Sequence, residues 1–335
     1  MKLLVTGGCG FIGSHFIRLI LARRRSVRVL NMDRMTYAGR GRNLADLEGN
    51  RRYRCLRVDI GSAKAAEVIR RERPDAIVNF AAESHVDRSV HDASVFLKAN
   101  TLGVQNLLDA ARAAKVGRFL QVSTDEVYGS LSGNALARED WPLHPSSAYS
   151  ASKASADLCC LAAHRTHGQD VVITRCTNNY GSYQFPEKLI PLMITNALND
   201  LPLPVYGDGR QRRDWIHVED HCRGVLVALE RGRAGEIYNF GIGSEPTNLV
   251  IVRQILKILG KPEKLIQHVR DRPGHDRRYA VDTAKSRREL RWKPQMDFDE
   301  GLTTTVRWYR KNTGWWLRLK DAAFREFYRK NYRKF

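Results

Sequence analysis

Residues 3–15 read LLVTGGCGFIGSH: an apolar run, a glycine-rich turn, then the opening of an amphipathic segment. LLVTGG (3–8) has the form of a buried parallel strand ending in glycines. In the following FIGSHFIRLILARRR, Phe11, Ile12, Phe16, Leu19 and Ile20 fall at helical spacing. Two glycine patterns overlap in the turn, Gly8-x-Gly10-x-x-Gly13 and Gly7-x-x-Gly10-x-x-Gly13. Their position between a strand and a helix is the context that gives such patterns meaning. Glycine tolerates positive φ in a tight turn and lets backbone approach a pyrophosphate. The helix N-terminus then presents free N–H groups and partial positive charge to that anion. Residues 1–60 thus predict a dinucleotide-binding βαβ unit, the competing reading being a glycine turn without a ligand.

Asp33 closes a second strand, VRVLNMD (27–33), 20 residues after Gly13. A carboxylate there accepts hydrogen bonds from the adenosine ribose hydroxyls and repels a 2′-phosphate, which favours NAD over NADP. Arg34 softens that preference without reversing it. Asp59 and Ile60, ending CLRVDI (55–60), are placed to meet the adenine edge.

Outward from this unit, AIVNFAA (76–82), RFLQVST (118–124) and VVITR (171–175) read as further strands. AKAAEVIRRERPD is an amphipathic helix stopped at Pro74, and other helices fall near 92–114 and 147–166. Alternation at this rhythm predicts an α/β fold, a Rossmann-type doubly wound parallel sheet. After residue 176 the alternation loosens and Pro and Gly become frequent. The expected division is an NAD-binding domain over 1–176 and a smaller C-terminal α/β substrate lobe over 177–335, closely packed and interleaved. Segment 304–335, with ten basic and two acidic residues, reads as an amphipathic helix capping the fold.

The chain has 335 residues and is 43% hydrophobic, a globular composition. No apolar run reaches the roughly 18–20 residues that cross a bilayer. The MKLLVTGG start has neither an apolar signal core nor a small-residue cleavage site, which predicts a cytoplasmic protein. Six cysteines show no CxxC pair and no metal-ligand spacing, so neither disulfides nor a metal are expected. Lys and Arg number 56 against 36 Asp and Glu, a net charge of +20. That excess invites a nucleic-acid reading. It is dispersed, however, through clusters such as Arg23–Arg25, Arg70/Arg71/Arg73 and Arg287/Arg288, without a nucleic-acid signature, and is read as a solvated surface biased toward anionic ligands.

Tyr149-Ser-Ala-Ser-Lys153 places a phenol and an ammonium at i and i+4 of a predicted helix, on one face. An adjacent ammonium is expected to lower the phenol pKa and make a base toward an alcohol. Upstream, FLQVS runs into Thr124-Asp125-Glu126 at the carboxyl edge of the sheet, where α/β ligands bind. Adjacent carboxylates there support acid–base chemistry; a plain Asx-type loop is the bland alternative.

Taken together, TGGCGFIGS, STDEVYG and YSASK resemble the extended short-chain dehydrogenase/reductase superfamily. Within it, NFAAESHVDRS (79–89), RCTNNYG (175–181), QFPEKLIPLMI (184–194), RRDWIHVEDH (212–221) and DRPGHDRRYAVD (271–282) resemble the dTDP-glucose 4,6-dehydratase family almost end to end. The resemblance implies an NAD-dependent hydro-lyase of the cytoplasm, acting on dTDP-glucose, a homodimer joined through the helices near 92–114 and 147–166. It implies catalytic roles for Thr124, Asp125, Glu126, Tyr149 and Lys153. It implies NAD contacts from Gly7, Gly10, Phe11, Ile12, Gly13, Asp33, Arg34, Met35, Thr36, Asp59, Ile60, Ala81, Ala82, Glu83, Ser84, Tyr149, Lys153 and Asn179. Substrate contacts fall on Ser84, Thr124, Asn178, Lys188, Leu189, Pro204, Tyr206, Arg213, Asn248, Arg272 and His275. Arg213 and Arg272 fit a diphosphate, which prefers bidentate cationic donors.

Cys9 departs from the family's usual Ala and Ser182 from its usual Pro; neither falls on a proposed catalytic group. The other enzymatic reading is a nucleotide-sugar 4-epimerase or a plain oxidoreductase, which has no need of Asp125-Glu126. From another class comes a basic NAD-binding nucleic-acid or scaffold protein, for which an intact Tyr/Lys/Asp/Glu set has no purpose.

Overall fold

The structure is a computed structural model that describes residues 1–332. Its centre is a seven-stranded sheet built from β1 (Lys2–Thr6), β2 (Arg28–Asp33), β3 (Tyr53–Arg57), β4 (Ala76–Asn79), β5 (Arg118–Thr124), β6 (Val171–Cys176) and the strand Ile237–Phe240. Spatial order runs from Ile237–Phe240 through β6, β5, β4, β1 and β2 to β3, and every pairing is parallel. This is the doubly wound arrangement expected. Strand order reverses between β1 and β4, which opens a crevice at their carboxyl ends, the place where ligands bind in open α/β sheets.

β1, β2, β4, β5 and β6 are buried on both faces, as parallel strands covered by helices must be, while the edge strand β3 is only partly buried. Leu3 and Val5 face one layer with Phe16, Ile17 and Ile20 of α1 (Phe11–Arg23). Leu4 faces the other, with Val68 and Ile69 of α2 (Ala63–Glu72) and Leu107 of the helix Gly103–Ala113. Part of the C-terminal half returns to this sheet: Ile216, Val225, Tyr238, Phe240 and Trp292 join the α1 layer. A second core is built from Ile190, Met193, Val205, Ile251, Ile255, Leu302, Tyr309 and Trp316.

Three details differ from the sequence reading. Strands stop earlier than their apolar runs suggest: β3 ends at Arg57, so Asp59 and Ile60 sit in the loop after it. The helix near 92–114 is interrupted, with π-helical turns over Leu97–Leu102 between Ala93–Phe96 and Gly103–Ala113. The C-terminal segment is three helices, Phe298–Lys311, Thr313–Leu317 and Ala322–Asn331, broken at Asn312 and at Asp321, which caps the last one. Its final three residues lie outside the described residues. The six cysteines are free thiols. No helix among the described residues is long and apolar enough to cross a membrane.

Candidate active site

A cleft of about 410 Å³ runs along the carboxyl ends of the sheet and continues between sheet and second core. At its cofactor end, Gly7 has φ +68°, and a Cβ there would stand 2.5 Å from the amide nitrogen of Ala81. The loops after β1 and β4 therefore touch at the point where strand order reverses. A Cβ on Gly13 would stand 2.5 Å from the Gly7 carbonyl oxygen, closing the turn over which α1 begins. Gly8 faces the other way, onto the Asn31 amide. Of the two overlapping patterns, Gly7, Gly10 and Gly13 line the cleft.

Asp33 Oδ2 accepts the Cys9 N–H at 2.9 Å and Oδ1 the Met35 N–H at 2.7 Å. A carboxylate has about four acceptor positions, so roughly half stay open. Arg34 donates to Asp59 at 3.2 Å and to Glu83 at 2.6 Å. Two carboxylates thus engage the guanidinium that a 2′-phosphate would need. Phe11, Ile12, Thr36, Ile60, Ala81, Ala82, Ser84 and Asn179 also line this end. Met35 does not: at φ +57° its side chain turns into the layer beneath α1. Side-chain direction in a left-handed residue is not legible from spacing: the Met35 side chain packs inward, which leaves only its backbone for the expected cofactor contact.

The floor of the cleft joins β5 to the helix Ala148–His167. Ser147 and Ser150 form a capping box at the start of that helix, which fixes the turn presenting Tyr149. β5 ends in a 3₁₀ turn, Asp125–Tyr128, capped by Thr124 Oγ1, which accepts the Glu126 N–H at 3.3 Å. Thr124, Asp125, Glu126, Tyr149 and Lys153 all line the same space. Asp125 is only 3% exposed, and its Oδ2 has no hydrogen-bond partner among the described residues. Burial, reinforced by Glu126, pushes the Asp125 carboxyl well above the usual carboxylate range. Burial raises Glu126 too, against the pull of Arg272, Lys188 and Arg213.

The phenol and ammonium differ from expectation. Burial, with the charges of Glu126 and Cys176, holds Tyr149 well above its ordinary value, and Thr124 only partly opposes this. Lys153 Nζ donates to the Val122 carbonyl oxygen at 2.7 Å, and burial pulls its pKa down. Helical i, i+4 spacing puts both on one face, but the lysine is tied to β5. The lowered phenol pKa read from the motif is absent from the site as it stands.

At the substrate end, Arg272 donates to Asp87 at 2.8 Å and keeps a buried Nε without a partner among the described residues. Arg213 lies over the Tyr279 ring at 4.2 Å and donates to the carbonyl oxygens of Arg212 and Asp276 at 2.8 and 2.7 Å. Lys188 Nζ donates to the Ser84 carbonyl oxygen at 2.6 Å. Tyr206 donates to Asp87 at 3.0 Å. His275 donates from Nδ1 to Asp271 at 2.6 Å, and burial pulls its pKa down to about 4, so the ring is neutral. Asn178, Leu189, Pro204 and Asn248 complete this end.

Several residues at the site escaped the sequence reading. Asp87 joins Arg272 to Tyr206, although it stands inside the quoted AAESHVDRS stretch. Buried Glu187 accepts from Tyr37 at 2.9 Å and from Arg88 at 3.2 Å, linking the loop after β2 to the short helix Val86–His91 beyond β4. Asn100 holds the Glu83 backbone, and Tyr279 and Tyr332 line the cleft. Only Asp87 and Glu187 carried a signal, a buried charge inside a recognisable motif.

A glycine turn at the strand reversal, an acidic residue closing β2, and a Tyr/Lys helix facing β5 define an extended short-chain dehydrogenase/reductase. A family model described as GDP-mannose 4,6 dehydratase matches residues 4–305. The dTDP-glucose 4,6-dehydratase of Streptomyces niveus is 50% identical over 325 residues, 96% of each chain. The crystal structure of DesIV, a dTDP-glucose 4,6-dehydratase from Streptomyces venezuelae solved with NAD bound, superposes with a TM-score of 0.93. Its sequence is 52% identical, and the match covers 96% of this chain and 100% of that one. UDP-glucose 4-epimerase of Thermus thermophilus, also solved with NAD, gives a TM-score of 0.86 at 31% identity over 93% of this chain and 100% of that one. The chain belongs to the nucleotide-sugar 4,6-dehydratase family, on its dTDP-glucose 4,6-dehydratase branch.

Proposed function

We propose that the protein is an enzyme that uses NAD to convert dTDP-glucose to dTDP-4-keto-6-deoxyglucose and water, a step of deoxysugar biosynthesis. Gly7, Gly10 and Gly13 would admit the pyrophosphate, and Asp33 the adenosine ribose. The close approach of the β1 and β4 loops, which leaves no room for a Cβ on Gly7, supports this fit. When bound, NAD⁺ supplies a hydride acceptor for C4 of the sugar and gives the hydride back to C6.

The chain's own residues do the rest. Tyr149 takes the proton of the sugar 4-hydroxyl as the phenolate, a form that the Thr124 hydroxyl and the positive charges of Lys153 and of bound NAD⁺ would favour against the burial that raises its pKa. A ketone at C4 acidifies the C5 proton, which Glu126 removes. Asp125 donates its proton to the departing C6 hydroxyl, so water leaves, and Glu126 then returns a proton to C5. Lys188, Arg213 and Arg272 surround this space with positive charge suited to a diphosphate.

The observation that carries the reading is the Asp125–Glu126 pair. One carboxyl is buried with an unpartnered oxygen and pushed well above the usual carboxylate range; its neighbour is raised by burial too, but there three cations oppose the rise and favour the carboxylate. Elimination needs an acid and a base side by side, and pairs of carboxyls in unlike environments supply both. Incubation with dTDP-glucose should give a product lighter by one water in the mass spectrum. An isobaric product would instead support an epimerase, and unchanged substrate would remove both readings.

We also propose a cytoplasmic homodimer. Leu97, Leu102 and Leu158 are 46, 61 and 56% exposed on the helical segments near 92–114 and 147–166, an apolar face that a second copy would cover. Six free thiols suit a reducing compartment. Sedimentation at micromolar concentration tests the dimer, and a monomer would contradict it.

A further inference from the structure

A line of contacts leads outward from the catalytic carboxylates. Arg272, whose charge bears on Glu126, donates to Asp87 Oδ1 at 2.8 Å. Asp87 Oδ2 accepts the Tyr206 hydroxyl at 3.0 Å. The Tyr206 ring meets the Tyr332 ring with centroids 5.3 Å apart and planes tilted by 33°. Carboxylate, guanidinium and aromatic pair thus succeed one another along the cleft in the order of the parts of a nucleotide sugar: sugar, diphosphate, base.

Tyr332 stands just beyond the helix Ala322–Asn331 and lines the cleft. Its position is fixed from behind. Its N–H donates to the Tyr328 carbonyl oxygen at 3.0 Å, and its ring lies 4.8 Å from the Tyr328 ring. The Tyr328 hydroxyl accepts from Asn196 at 3.1 Å. On the same helix, Phe324 is buried in the second core and Phe327 meets the His85 ring at 5.1 Å. Residues 322–332 are therefore fastened over the substrate end of the cleft and present an aromatic ring to it.

We propose that Tyr332 is a nucleotide-binding residue: with Tyr206 it forms an aromatic wall against which the base of the nucleoside diphosphate sugar packs. The inference rests on the nucleotide-sugar reading of the site. Every base offers a π-face, and packing it on an aromatic side chain contributes affinity without demanding a particular hydrogen-bond pattern.

The test is calorimetric binding of dTDP to the NAD-loaded protein, together with steady-state turnover of dTDP-glucose. Tyr332→Ala should weaken dTDP binding about tenfold, within the range seen when a base loses an aromatic platform. KM should rise in parallel while kcat stays within about twofold, as expected for lost uniform binding. Tyr332→Phe should match the wild type, because the ring face is kept. Tyr332→Leu keeps an apolar side chain without a π-face and should weaken dTDP as Ala does. Wild-type affinity in the Ala or Leu variant would overturn the proposal, as would equal losses in the Phe and Ala variants. A wild type that binds dTDP but releases no water from dTDP-glucose would overturn the dehydratase reading and leave this one standing.

Discussion

Asn100 grips the backbone of Glu83 from both sides, its Oδ1 accepting the Glu83 N–H at 2.8 Å and its Nδ2 donating to the Glu83 carbonyl oxygen at 2.9 Å. The same Nδ2 donates to Ser152 Oγ at 2.9 Å. One buried amide in a π-helical turn thus joins the loop after β4 to the helix carrying Tyr149 and Lys153. π-Turns recur at functional sites because the extra residue redirects a side chain.

Asn100→Ala should lower stability by about 3 kcal/mol, since each buried polar group left unpaired costs about 1–3 kcal/mol. Chemical denaturation checks this. A loss below about 1 kcal/mol would mean that water replaces the amide.

Gly13→Ala should strip the purified protein of bound nucleotide. The new Cβ would stand 2.5 Å from the Gly7 carbonyl oxygen and 2.8 Å from the Gly8 Cα, both backbone, so the turn must open. Cofactor content per chain, read from absorbance after denaturation, should fall at least tenfold, the loss expected when closely packed backbone is forced apart.

His275 gives a pH dependence of definite sign. Burial lowers its pKa from 6.5 to about 4, so between those values the unfolded chain binds a proton that the folded chain does not. Stability tied to the neutral ring is fully present above pH 6.5 and is lost as pH falls toward 4, at up to about 1.4 kcal/mol per pH unit. His275→Gln should flatten the acid side of the stability curve. Burial also lowers His15, His217 and His221, so some acid sensitivity should persist. Denaturation midpoints of the two proteins measured across this window decide it, and parallel curves would refute the assignment.

Glu126→Gln should oxidise C4 yet stall before elimination, leaving the protein loaded with NADH. Turnover should drop by roughly 10²–10⁴, the usual contribution of a general base. A rapid rise of NADH absorbance without product is the expected record. Dehydration continuing at near wild-type rate would move the base elsewhere.

The parallel sheet was legible because both signals it depends on are local. Apolar runs at β1, β4, β5 and β6 end in polar or small residues, and α1 shows helical spacing from Phe11 to Ile20. Tyr149 and Lys153 were legible through i, i+4 spacing, and Asp125-Glu126 through two charges at a strand end. Long-range placement was not. Nothing local ties Lys153 to Val122, turns Met35 inward at positive φ, or brings Tyr332 to Tyr206. The tail read as one helix because its apolar residues keep their period, whereas Asn312 and Asp321 divide it.

The central claim is that a hydride leaves C4 of the sugar and returns to C6 of the same molecule. The most direct measurement uses dTDP-glucose deuterated at C4, with the product's label located by NMR and mass spectrometry. The account predicts a product lighter by one water that keeps its deuterium at C6. A product of unchanged mass with deuterium still at C4, or a dehydrated product that has lost the label, would contradict it.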